Sequence, residues 1–265
     1  IVQPTPDLTL SVSLAMNTSF TAGSINDSYN EINDSFNRSV HIIPLLDKNC
    51  RLKAVAISNE GGIQVGNKII SSEHPVFIIA EIGNNHNGDI ALAKKLVDSA
   101  IFAGADCVKF QLRDIESLYR NEGKFDDASA DLGAQYTLDL LSKFQLSNSE
   151  LIEVFDYSKE KGTIPLCTPW DMKSVALLES YGMEAYKIAS ADLTNHELLE
   201  TLVGTGKPLI CSTGMSTESE IILATDFLRN RGAQFILLHC NSTYPVPLRD
   251  INLQYIKTLQ SHTNS

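Results

Sequence analysis

The sequence predicts an α/β protein: a TIM (β/α)8 barrel, incomplete at its C-terminus with about six βα units, behind an N-terminal extension. Three observations carry this. Short apolar runs alternate with helix-period segments from residue 67 onward. The runs are apolar almost throughout, as parallel strands buried on both faces are. Polar residues gather at the C-terminal end of nearly every run. A barrel builds its site from those positions, whereas an open doubly wound sheet concentrates its contacts at one switch point.

The runs, in order, are PVFIIAEI, DCVKFQL, TIPLCTP, EAYKIAS, KPLICST and QFILLHC. Between the first two, Ala93, Leu96, Val97, Ala100 and Ile101 repeat at helical spacing, and Gly104 marks the helix end. Three later helices are expected to open on capping boxes: Ser147 with Glu150, Thr194 with Glu197, and Thr217 with Glu220. EIGNNHNG after the first run is not G-x-G-x-x-G, which further disfavours a nucleotide-type open sheet.

The chain has 265 residues and 43% hydrophobic content, enough for one sizeable core. Its net charge of −11 argues against nucleic acid, which needs a basic footprint. An anionic substrate requires local cations against that acidic background. The cysteines (Cys50, Cys107, Cys167, Cys211 and Cys240) are odd in number and form no C-x-x-C. They read as small core residues in a reducing compartment, and a cytoplasmic location is expected. No apolar stretch is long enough to span a membrane. IVQPTPDLTLSVSL lacks the basic start of a signal peptide.

Residues 1–66 have a different texture and are set apart from a barrel region at 67–265. Segment 17–39 is rich in Asn, Ser and Asp; its N-x-S/T triplets carry no glycosylation inference. HIIPLLDKNCRLKAVAIS reads as two strands around a polar turn. It weakly resembles the strand–turn–strand of a cystathionine-β-synthase-type regulatory module.

Lys109 and Lys187 end two different strands. A lysine is rarely buried without a partner, because desolvating an ammonium is costly. One alone reads as a snorkelling or paired side chain. Two at one mouth make a local anion site, to which hydroxyls of Thr168, Ser190, Ser212 and Thr213 add neutral donors. Glu81 either holds Lys109 in place or faces a reacting carbon, and the two roles are compatible. His86 reads as a loop hydrogen-bonder. His239 and Cys240 are adjacent on a strand, point to opposite faces and are poor co-ligands. No metal constellation is read from these residues.

AEIGNNHNGD, ADCVKFQ, CTPWD, YKIAS, STGMS and HCNSTYPVP together resemble, in order and spacing, the signature segments of the N-acetylneuraminate (sialic acid) synthase family, which includes the pseudaminic and legionaminic acid synthases. The resemblance runs through every strand. It implies an aldolase-type TIM barrel that condenses phosphoenolpyruvate (PEP) with an N-acetylated mannose-type aldose, giving a nine-carbon 2-keto acid and phosphate. It puts Lys109, Lys187, Thr168, Ser190, Ser212 and Ser242 at PEP, Gln111 and Tyr244 at the sugar, and Glu81 at the reacting PEP carbon. It also implies a divalent metal, Mn2+ or Mg2+, bound by two histidines on later strands, and a homodimer of the full-length form. The chain reaches IKTLQSHTNS without those strands, so the ligands are expected beyond residue 265 and the 265-residue piece alone is expected to be inactive. His262, with no strand ahead of it, is not counted among them. Two other readings stay open: a class I aldolase with Lys187 as Schiff-base nucleophile, and an inactive sugar- or PEP-binding fragment.

Overall fold

The computed structural model describes residues 62–115 and 141–263, with short stretches between 22 and 57. The chain divides into two compact units, residues 1–60 and 61–265. In the first, strand β1 (Gly23–Ser24) pairs in parallel with β2 (Ile42–Leu46), which pairs antiparallel with β3 (Leu52–Ile57). The expected strand–turn–strand is therefore present. Most of the Asn-rich segment, and Cys50 and His41, lie outside the described residues.

The second unit opens on a hairpin, β4 (Ile63–Val65) and β5 (Lys68–Ile70). The expected boundary at 66/67 falls on its turn. Six strands follow: β6 (Ile79–Gly83), β7 (Cys107–Leu112), β8 (Ile164–Pro169), β9 (Tyr186–Ile188), β10 (Leu209–Ser212) and β11 (Phe235–Leu238). All pair in parallel, and their order in the sheet is their order in the chain. Strand order never reverses, so the sheet has no switch point; it is the wall of an incomplete barrel. The first strand is shorter than its apolar run, for Val76 and Ile78 precede the ladder and are exposed.

Helices α1 (Ile90–Phe102), α2 (Asn148–Glu160), α3 (Met172–Tyr181), α4 (His196–Gly204), α5 (Glu218–Arg229) and α6 (Tyr255–Thr263) complete the βα rhythm. Helix α1 ends as expected: Gly104 N–H donates to the Ile101 carbonyl and Ala105 N–H to that of Ala100. The capping boxes at Ser147 and Thr217 form in full. The third does not. Asn195, one residue after Thr194, caps α4 by accepting from Leu198 N–H. The Asn195 amide at the true N-cap displaces the box that Thr194 and Glu197 spell out. No described helix is long and apolar enough to cross a membrane.

Strand alternation gives the sheet two cores. On one face, Val108, Phe110, Leu112, Cys167, Tyr186, Ile188, Leu209 and Cys211 pack against the helices. On the other, Cys107, Ile164, Leu166, Ala185 and Ile210 cluster around Val65 of the hairpin. Lys68 pairs with Asp106 at 2.9 Å, tying the hairpin to that end of the sheet.

Candidate active site

The face that carries the second core changes character along each strand. Ile79 gives way to Glu81, Cys107 to Lys109 and Gln111, Leu166 to Thr168, Ala185 to Lys187, and Ile210 to Ser212. Parallel pairing brings these polar positions to one end, with Glu81 opposite Lys109 and Gln111 opposite Thr168.

Lys109 is the hub. Its ammonium lies 2.7 Å from Glu81 Oε2 and donates to Thr168 Oγ1 at 3.1 Å. The Lys109 side chain is 6% exposed, against 53% for Glu81. The carboxylate offsets a desolvated charge on one side and stays open to the mouth on the other. Lys187, also buried, donates to the Ile188 carbonyl at 2.8 Å. Burial, reinforced by the Lys109 ammonium, lowers its pKa to about 8.

Gly83 leaves room where these groups converge. Its φ is +53°, and a Cβ there would sit 2.9 Å from Glu81 Oε1 and 3.2 Å from Gln111 Nε2. Gly214 plays a similar part on the far side, where a Cβ would meet Ser242 Oγ at 2.8 Å and the Cys240 carbonyl oxygen at 2.9 Å. Its N–H donates to Ser190 Oγ at 3.2 Å, and the Cys240 thiol donates to Ser212 Oγ at 3.3 Å. Ser190, Ser212 and Ser242 are thus linked through one tight turn.

Two predicted residues stand apart. Thr213 gives both its N–H and its hydroxyl to the Leu238 carbonyl, at 3.2 and 2.9 Å, so it fastens β10 to β11. Tyr244 is 93% exposed. His86 is buried as a loop hydrogen-bonder: Nδ1 accepts from Gly88 N–H at 3.2 Å, and burial pushes its pKa below the usual imidazole range. Cys107, Cys167 and Cys211 are core residues, with thiol pKa values raised by burial to about 12. Cys240 departs from that expectation, because it is half-buried beside Ser212.

Sequence reasoning missed Arg113 and Trp170. Arg113 is 8% exposed, donates to Gln111 Oε1 at 2.7 Å and lies 4.8 Å over the Trp170 ring. Arg113 comes directly after the last residue of β7, so the apolar run that marks the strand gives no signal for it.

The implied metal does not fit the residues present. Among the described residues no three His, Cys, Asp or Glu side chains converge to hold an ion. His239 packs its ring 5.7 Å from that of Tyr255 instead.

The model of the NeuB family matches residues 96–264. The chain belongs to the NeuB family. It is 36% identical to an N,N'-diacetyllegionaminic acid synthase of Campylobacter jejuni, over 69% of this chain and 56% of that protein. It is 41% identical to an uncharacterised protein of Methanocaldococcus jannaschii, over 76% of this chain and 57% of that one. The chain therefore spans about half the length of the curated NeuB-type relatives it matches. Among solved structures it is similar to the sialic acid synthetase of Leptospira borgpetersenii, with a TM-score of 0.67 and 35% identity over 75% of this chain and 66% of that one. A 3-deoxy-D-arabino-heptulosonate 7-phosphate synthase from Thermotoga maritima, 14% identical with a TM-score of 0.52, shares the barrel fold alone.

Proposed function

We propose that the full-length protein condenses PEP with an N-acetylated mannose-type aldose to give a nine-carbon 2-keto acid and phosphate. The observation that carries this reading is the pair of buried lysines at one mouth. Lys109 and Lys187 offer two cations to an anion in an otherwise acidic protein, next to a carboxylate that remains accessible.

In this reading the phosphate and carboxylate of PEP displace part of the Lys109–Glu81 pairing and draw on Lys187, Thr168, Ser190, Ser212 and Ser242. Gln111 faces the sugar, and Tyr244, which stands open to solvent without substrate, would meet the sugar from the rim. The methylene carbon of PEP forms a bond to the aldehyde carbon, and the aldehyde oxygen takes a proton to become a hydroxyl. Positive charge develops at the PEP carbon that bears the phosphate oxygen. Glu81 stabilises it, since a fixed carboxylate in a partly desolvated site acts most strongly on charge that appears in the transition state. Water adds at that carbon and loses a proton. The tetrahedral adduct then collapses to the ketone and inorganic phosphate.

A second reading draws on one observation. A pKa near 8 gives Lys187 a reactive neutral fraction, which suits a Schiff-base nucleophile. Phosphate release from PEP, with N-acetylmannosamine and related acetamido aldoses offered in turn, separates the two. Aldose-dependent phosphate release with no borohydride-trapped adduct is the expected result. A trapped adduct at Lys187 without phosphate release overturns the condensation.

A further inference from the structure

We infer that Arg113 is a positioning residue that dictates which end of the Gln111 amide the sugar meets; this rests on the proposed aldose site. Arginine has donors only. Its bond to Gln111 at 2.7 Å therefore fixes the accepting atom as Oε1. The amide nitrogen must then face the other way, and it does: Nε2 lies over Gly83, close to the point approached by Glu81 Oε1. The mouth presents a hydrogen-bond donor from Gln111 beside an acceptor from Glu81. Gln111 can rotate about its last torsion to offer either end; with Arg113 in place it offers N–H.

Arg113 is itself built in rather than draped on the surface. Its guanidinium lies on the Trp170 ring, and the backbone N–H of Trp170 donates to the Leu112 carbonyl, which fixes that residue beside the end of β7. The Arg113 carbonyl accepts from Gln145 Nε2 at 2.8 Å. The next N–H, of Asp114, donates to Asp171, the residue that caps α3. Backbone and side chain are both held, as a residue that orients another must be. The aldose is thereby selected for an acceptor oxygen at the Gln111 position, such as the carbonyl of an acylamino group.

The test uses the full-length protein. With Arg113→Met, the Michaelis constant for the acetamido aldose is expected to rise about tenfold, the value of one oriented hydrogen bond, while that for PEP stays within about twofold. In a Gln111→Ala background the same change should have little further effect, because it acts through the amide that is gone. Equal losses for PEP and aldose, or an undiminished effect of Arg113→Met without Gln111, would overturn the inference.

A second measurement needs no turnover. In selectively labelled protein, the Gln111 side-chain N–H protons should show a nuclear Overhauser effect to the Gly83 α-hydrogens, and Arg113→Met should weaken it. Absence of that contact in the unmodified protein overturns the inference whatever the enzyme assay shows. Absence of phosphate release with the contact present would instead overturn the functional reading alone.

Discussion

The two ends of one sheet face contrast sharply. At the N-terminal end, Cys107, Ile164, Leu166, Ala185 and Ile210 close over Val65 in an apolar plug. Two residues along the same strands, Lys109, Thr168, Lys187 and Ser212 line the opposite end. The backbone is continuous, and burial is high at both. What differs is whether the side chain lowers the free energy of folding by leaving water, or raises it by bringing a charge along. Stability is concentrated at the hairpin end, and chemistry at the other.

The largest expected effect breaks the hairpin end. Val65 is fully buried, so Val65→Asp places a carboxylate among aliphatic side chains at a cost of more than about 4 kcal/mol. Loss of the cooperative urea transition is the expected outcome, and a normal midpoint would mean that the hairpin contributes little. Deletions sharpen the point. Removing residues 1–60 is expected to leave the transition of the second unit in place, whereas removing 1–70 takes the plug with it.

The counterpart at the mouth is Lys187→Met. Removing one cation from a desolvated anion site is expected to cost about 2–5 kcal/mol in PEP use. Stability should move the opposite way. The folded-state pKa, about 8, lies below the ordinary lysine value of about 10.4. Between those values the unfolded chain binds more protons at this residue, so its contribution to stability rises with pH; below about 8 the buried charge is a standing cost. Met removes that cost, and thermal unfolding at pH 7 should show an unchanged or raised midpoint. A variant that lost PEP use and melted early would erase the contrast between the two ends.

How much of this could be read beforehand follows the same division. The six strands were legible because burial on two faces leaves uninterrupted apolar runs. Glu81, Lys109, Thr168 and Lys187 were legible because charge and hydroxyl at the end of such runs have few structural uses. The hairpin was not: Gln64 and Lys68 interrupt its apolar residues, and only tertiary packing makes Val65 a core residue. Arg113 was hidden for the converse reason. It lies past the end of the apolar run, where a charged residue ordinarily meets solvent. Cys240 was grouped with the core cysteines because composition alone cannot say which end of a strand faces a mouth.

A smaller effect follows from Lys187 as an acid. The free protein should use PEP best with this residue charged, below about pH 8. The specificity constant for PEP is then expected to fall by about tenfold per pH unit above that value, since this parameter reports groups in the free enzyme. Lys187→Met should show no such limb. A limb that persists in the variant assigns the titration to another group.

The smallest effect concerns the loops that frame the mouth. Thr217 and Thr194 spell the same box in sequence, each with Glu three residues on. In the fold they differ. Thr217 Oγ1 accepts from the Glu220 N–H, and the Glu220 carboxylate accepts from the Thr217 N–H at 2.7 Å, so two otherwise unpartnered donors at the start of α5 are satisfied. Thr194 stands one residue ahead of Asn195, which caps α4 alone. Thr217→Ala should therefore cost about 1 kcal/mol, and Thr194→Ala no more than about 0.5 kcal/mol, as for a surface position. Asn195→Ala should recover the larger figure. Paired urea titrations of the three variants resolve differences of this size. Equal midpoints for Thr194→Ala and Thr217→Ala would mean that local sequence decides the cap. The expected inequality means that the path of the chain out of β9, through Ser190 and Asp192 and into α4, decides it instead.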